Sequence, residues 1–230
     1  TMNLSPSTIR HHVGSLSRCL DWVEKREDTA MLSNPLRKLP KRYASGHKEE
    51  VLREERLAPE HEKEMLHLLD GGKPKDKERS FDPKYLAENK ILFLIALESG
   101  MRLAEIHTLT EDQVDIPRRT IFLDKTKNGD SRQVPMTSVL AEALTNYVPK
   151  PEWGGDMFPW ASEKSPRLTP QQVTGKLSEK FSRMFKAAGC EKFTFHCLRH
   201  EATSRLYERT NLSDVQIAKI LGWKSLKMAL

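Results

Sequence analysis

Three side chains late in the chain could do chemistry together. His196, Arg199 and His200, in the run HCLRH, fall at i, i+3 and i+4, so a helix would set them on one face. An arginine fork can hold an oxyanion, and an imidazole can take or give a proton. The same residues also suit an ordinary polar helix face, and the motif standing alone favours that plainer reading.

The surrounding sequence supplies elements that could position them. Ser5 and Pro6 predict a helix start. Ile9, Val13, Leu16, Leu20 and Val23 then recur at helical spacing. The prolines of SNPLRKLPKR break that helix, and Arg37, Lys38, Lys41 and Arg42 put four cations within six residues. This is either a solvated turn or a basic segment lying on phosphates. A polar stretch over 44–56 reads as a linker, and LAPEHEKEMLHLL opens a new helix with Pro59 near its first turn. The apolar run ILFLIAL predicts a buried helix ending at Ser99, with Gly100 as its cap. RLAEIHTL is a short helix. RTIFLDKTKNGDSRQVPM predicts two strands around Asn128-Gly129, a strong hairpin signal. Residues 138–147 read as helix and 148–168 as a loop. Thr169-Pro170 caps a long helix that ends by Gly189, residues 195–209 form another, and Ser213 caps a last one ending at Gly222. The expected fold class is mainly α (α+β), with one small antiparallel sheet.

Composition narrows the function class. The chain has 230 residues, 37% hydrophobic and 30% charged, and no apolar run long enough for a membrane span. No signal peptide is visible at the N-terminus. The net charge of +6 leans toward a nucleic-acid partner without proving one. Cys19, Cys190 and Cys197 form no CxxC pair, which suggests neither a disulfide framework nor a zinc site and fits a reducing, cytoplasmic compartment.

In order along this basic chain stand SGMRLAEIHTL, a hairpin with TKNGDSRQVP, HCLRH, and LGWKS. Together they resemble the boxes of the tyrosine recombinase (phage integrase) family. These are an arginine in a TGxRxxE turn, a lysine on a β-hairpin, an HxxRH helix and an LGH or LGW turn. Any one is weak, and four in order are specific. The resemblance covers 57–230 as a catalytic domain of the DNA breaking-rejoining type. Residues 1–45 resemble the C-terminal part of the family's helical core-binding domain, with 46–56 as linker.

The resemblance implies roles. Such enzymes attack a DNA phosphodiester with a tyrosine, without a metal or other cofactor, and form a 3′-phosphotyrosyl link. Arg102 and Arg199 would clamp the phosphate with forked, charge-assisted bonds. His196 would bond the phosphate and accept the nucleophile's proton, and Trp223, whose indole can only donate, would steady an oxygen. The acid for the departing 5′ oxygen would be Lys127, eight residues before Pro135, with Lys125 as the alternative register. Glu105 and His200 would support the site, Glu105 by orienting Arg102 or pairing with His200. No carboxylate cluster suited to a divalent metal stands out. Arg37, Lys38, Lys41 and Arg42 would contact DNA.

The family's tyrosine falls about nine residues past Trp223, near position 232, and Leu230 is the last residue. Tyr207 would lie about 16 Å from His196 along one helix and could not reach. Tyr43, Tyr85 and Tyr147 match no nucleophile box. The chain is expected to be truncated before its nucleophile, or else degenerate. It is expected to bind double-stranded DNA as a mostly monomeric fragment, with a homotetramer forming on DNA in the complete protein. Rival readings are a helix-turn-helix regulator, from LSDVQIAKILGWKSLKMAL, and a type IB topoisomerase-like enzyme.

Overall fold

A computed structural model of the protein describes residues 4–26, 33–40, 43–44, 55–75, 79–81, 84–124, 131–162 and 168–223. The chain divides into two compact units, Thr1–Glu54 and Glu55–Leu230.

In the first unit, α1 (Pro6–Glu24) begins where the Ser5 hydroxyl accepts from the Thr8 backbone N–H. None of its residues is buried, and Leu16 and Trp22 are more than half exposed. A 3-10 turn, Pro35–Lys38, follows on Asn34, which is buried. The Asn34 amide donates to the Ser17 carbonyl and to Asp21, and its oxygen accepts from Leu36 N–H. One asparagine thus caps the turn and fastens it to α1.

The second unit is built from α2 (Pro59–Leu69), α3 (Leu86–Ser99), α4 (Leu103–His107), β1 (Val114–Asp115), β2 (Thr120–Leu123), β3 (Arg132–Pro135), α5 (Ser138–Thr145), α6 (Pro159–Ser162), α7 (Pro170–Ala187), α8 (Phe195–Arg209) and α9 (Asp214–Leu221). The strands form one antiparallel sheet in the order β1-β2-β3, with Ile121 opposite Val134 and Leu123 opposite Arg132. The mainly helical class with a small antiparallel sheet is therefore as expected.

The apolar run of α3 is buried on nearly every side, Leu92, Phe93 and Ile95 completely. A helix apolar all round belongs at the centre of a core, and α8 and α5 pack against it. From α7, Val173, Leu177, Phe181, Met184 and Phe185 complete the core at helical spacing. Phe181 meets Phe195 of α8 edge-on at 4.8 Å, which ties the helix carrying HCLRH to the interior.

Two local features differ from the sequence reading. Strand β1 is only two residues long, too short for an alternation signal. Residues 148–168 hold a 3-10 turn, Pro151–Trp153, and α6, each opened by a proline and anchored by the buried Trp153 and Phe158.

Candidate functional site

The site is built where two helix ends meet. Helix α3 stops at Gly100, which takes φ 66°, and α9 stops at Gly222, also at φ 66°. At the α9 end the Trp223 N–H donates back to the Ala218 carbonyl and the Gly222 N–H to that of Lys219. This paired closure makes the left-handed glycine necessary and fixes the direction of the chain into Trp223. At Gly100 a side chain is excluded twice over. A Cβ there would stand 2.6 Å from Leu221 Cδ2, and L residues rarely take that φ.

Helix ends leave carbonyls unpaired, and here arginines take them. Arg199, on the buried side of α8 and only 6% exposed, donates Nη1 to the Gly100 carbonyl at 2.7 Å and Nη2 to the Leu221 carbonyl at 2.5 Å. One guanidinium therefore joins the ends of α3 and α9. Burial, then the neighbouring charge of Arg102, pushes its pKa down to about 10. It remains a cation at neutral pH.

Arg102 precedes α4 and is partly exposed. Its Nη1 donates to Glu105 Oε1 at 2.8 Å, while its backbone N–H donates to Oε2 at 2.9 Å. Glu105 thereby caps its own helix and holds the arginine. It also accepts two bonds from Arg132, Nη1 to Oε1 at 3.1 Å and Nη2 to Oε2 at 2.7 Å. Burial works to raise the Glu105 pKa, but the Arg132 bonds and then the Arg102 backbone bond outweigh it, and the carboxyl lies below its ordinary range. Of the two partners expected for Glu105, Arg102 is found. The second is Arg132, not His200.

His196 and His200 lie on the exposed side of α8, their rings edge to face at 5.1 Å. Desolvation, then the charges of His200, Arg199 and Arg102, lower the His196 pKa. Its imidazole is neutral at neutral pH and can accept a proton. Trp223 is half-buried beside the closed end of α9.

His107, buried in α4, hydrogen-bonds the Thr174 hydroxyl of α7 at 2.9 Å. That hydroxyl donates to the Pro170 carbonyl, so the His107 Nε2–H is the donor. The bond seats α4, and with it Arg102, against α7.

The structure thus gathers Arg102, Glu105, His196, Arg199, His200 and Trp223 within the second unit. Lys127, its alternative Lys125, Lys41 and Arg42 lie outside the described residues. Arg37 and Lys38 belong to the first unit, where both are exposed. The Arg37 guanidinium is paired with Asp21 at 2.7 Å.

Arg132 was not anticipated. A sequence signal for it exists: in a strand, Arg132 is in phase with Val134 and Met136, both buried, so an arginine stands in an apolar register. Three arginines stand here around one carboxylate, which of the three bonds only Arg102 and Arg132, so the region holds excess positive charge on donors that are largely buried. A phosphate oxyanion is the chemistry this arrangement accepts.

A family model described as the phage integrase family matches residues 55–229. A Haemophilus influenzae protein named for integrase/recombinase activity is 31% identical over 228 residues, covering 98% of this chain and 55% of that protein. Tyrosine recombinase XerC of Neisseria meningitidis is 27% identical over 165 residues, covering 70% of this chain and 49% of its own length. The chain thus spans about half the length of these curated relatives. The solved structure of the XerH site-specific recombinase bound to its difH substrate superposes with a TM-score of 0.69 at 20% identity. The match covers 100% of this chain and 62% of that one, a likeness of fold.

Proposed function

This chain belongs to the phage integrase family of tyrosine recombinases, and on that premise we propose that it carries the phosphate-binding centre of a site-specific DNA strand transferase. The observation that carries the reading is the Arg199 guanidinium, buried as a cation with backbone carbonyls as its hydrogen-bond partners and with Arg102 close enough to depress its pKa. A buried cation with no carboxylate bonded to it among the described residues is costly. A phosphodiester would complete it, and the developing charge of a pentacoordinate phosphorane would complete it better.

In this reading Arg102 and Arg199 clamp the scissile phosphate. His196, neutral and exposed beside them, bonds the phosphate and accepts the attacking hydroxyl's proton. Trp223 donates its indole N–H to a phosphate oxygen. Lys127, or Lys125 in the alternative register, protonates the departing 5′ oxygen. Glu105 orients Arg102, and His200 meets His196 edge to face. No divalent metal is assigned a role. The attacking tyrosine belongs to the family's position past Trp223. The chain's own tyrosines are placed otherwise: the Tyr147 hydroxyl donates to the Met157 carbonyl, Tyr85 meets Trp160 edge-on, Tyr207 neighbours Asp214 beyond the far end of α8, and Tyr43 is in the first unit.

The partner is double-stranded DNA. Residues 1–45 act as the C-terminal part of a core-binding domain, with 46–56 as linker, and Lys38, Lys41 and Arg42 as backbone contacts. The complete protein works as a tetramer on two sites, whereas the 230-residue chain is monomeric in solution. The regulator reading leaves the Arg102–Glu105 arrangement without a purpose, and its second helix falls in 224–230, outside the described residues.

A suicide DNA site, read on a denaturing gel, tests the proposal. The full-length protein is expected to form a covalent 3′ adduct, and Arg102→Ala or Arg199→Ala to slow it about a hundredfold or more. The chain ending at Leu230 should shift the DNA without an adduct. A full-length protein that binds but never links to DNA contradicts the proposal.

A further inference from the structure

We propose that Arg132 is a positioning residue of this strand-cleavage site, a role that rests on the function just assigned. Arg132 opens β3 with its side chain turned inward and only 6% exposed. Its two terminal nitrogens bond both Glu105 oxygens, and its Nε donates to the Ile220 carbonyl at 3.1 Å. A Cβ on Gly222 would stand 2.9 Å from Nη1, so the turn leading to Trp223 lies directly against the guanidinium. One side chain fastens β3 to α4 and to the closed end of α9.

The first consequence is geometric. Arg132 and Arg199 take adjacent carbonyls of α9, those of Ile220 and Leu221. The position of Trp223 and the donor directions of Arg199 are therefore set together. Lysine cannot do this, since it lacks the planar fork that serves a carboxylate and a carbonyl at once.

The second consequence is electrostatic. Glu105 is shared between Arg102 and Arg132. With both arginines present, the group keeps a net positive charge and Arg102 faces the phosphate as a cation. Without Arg132, Glu105 and Arg102 form a self-neutralised pair, and much of the clamp's attraction for an oxyanion is lost. Arg132 thus acts on the reaction through Glu105, at a distance from the phosphate itself.

The test is a double-mutant cycle in the full-length protein on the suicide site, with DNA affinity and thermal unfolding measured alongside. R132M is expected to slow adduct formation by about tenfold to a hundredfold, with DNA affinity within about threefold of the parent. In the E105Q background the same change should cost several-fold less than in the parent, because the charge that Arg132 compensates is gone and only its hold on the Ile220 carbonyl is lost. E105Q/R132M should outpace R132M alone. Should R132M melt below the assay temperature, the step from E105Q to E105Q/R132M decides the matter, since a purely structural Arg132 would cost as much there. R132M cleaving at the parent's rate, or an equal cost in both backgrounds, overturns the inference. A parent that binds without forming an adduct overturns the strand-cleavage reading, and this inference with it.

Discussion

His196 is the residue whose chemistry is most directly measurable. Desolvation, then the neighbouring His200 ring and the Arg199 and Arg102 guanidinium groups, favours its neutral form. A lowered pKa means the proton leaves at lower pH, so His196 is a ready acceptor across neutral pH and charges only in acid. An NMR titration of the free protein is expected to give a midpoint below the ordinary 6.5, rising when DNA phosphate is bound and opposes the arginines. A midpoint above 6.5 in the free protein would contradict the account. The acid limb of adduct formation reports the DNA-bound form, so it is expected at higher pH than the midpoint of the free protein. That Arg102, Arg199 and His196 are neighbours could be expected from the sequence, because their box motifs specify both residue type and local element; their roles are those proposed above. The place of Arg132 could not, because its partners lie 27 and 88 positions away and only the fold brings them together.

At the scale of elements, the site depends on how helices end. Gly100 and Gly222 could be read as caps from the sequence alone, and both serve so. That the two ends converge on one arginine could not be read, since it depends on how α3, α8 and α9 pack. Gly100→Ala is expected to cost about 1–3 kcal/mol of stability, from the left-handed backbone together with the crowding of Leu221. Thermal or denaturant unfolding measures it, and an unchanged midpoint would show that the α3 end is not fixed as described. A second device holds the other side of α8. Glu201, 3% exposed, accepts from Arg56, from Arg205 and from the Leu57 N–H, and Arg205 reaches on to Glu62. Burial works to raise the Glu201 pKa, but those bonds bring it from 4.5 down to about 2. A depressed carboxyl stabilises the fold above its ordinary pKa and loses that contribution as pH falls toward the folded value. The second unit is therefore expected to lose about 3 kcal/mol between pH 4.5 and 2. Glu201→Gln should flatten that part of the stability profile, and a slope as steep as the parent's would contradict the assignment.

At the scale of the molecule, the formal charge of +6 and the excess of arginine at the site both suit the proposed polyanionic partner. DNA affinity is expected to fall steeply with salt, linearly in log–log form. Lys38→Ala should make the slope shallower by about one unit. Arg37→Ala should change it less, because Arg37 is already paired with Asp21. Light scattering after size exclusion is expected to show a monomer, and a stable tetramer without DNA would contradict this. In the proposed function Arg102 and Arg199 together receive one phosphate. A crystal structure of the chain with a duplex carrying its cleavage site tests that most directly. One backbone phosphate is expected within about 3 Å of both guanidinium groups, with the His196 imidazole and Trp223 indole against the same oxygens. Duplex bound with that pair of arginines facing no phosphate would contradict it.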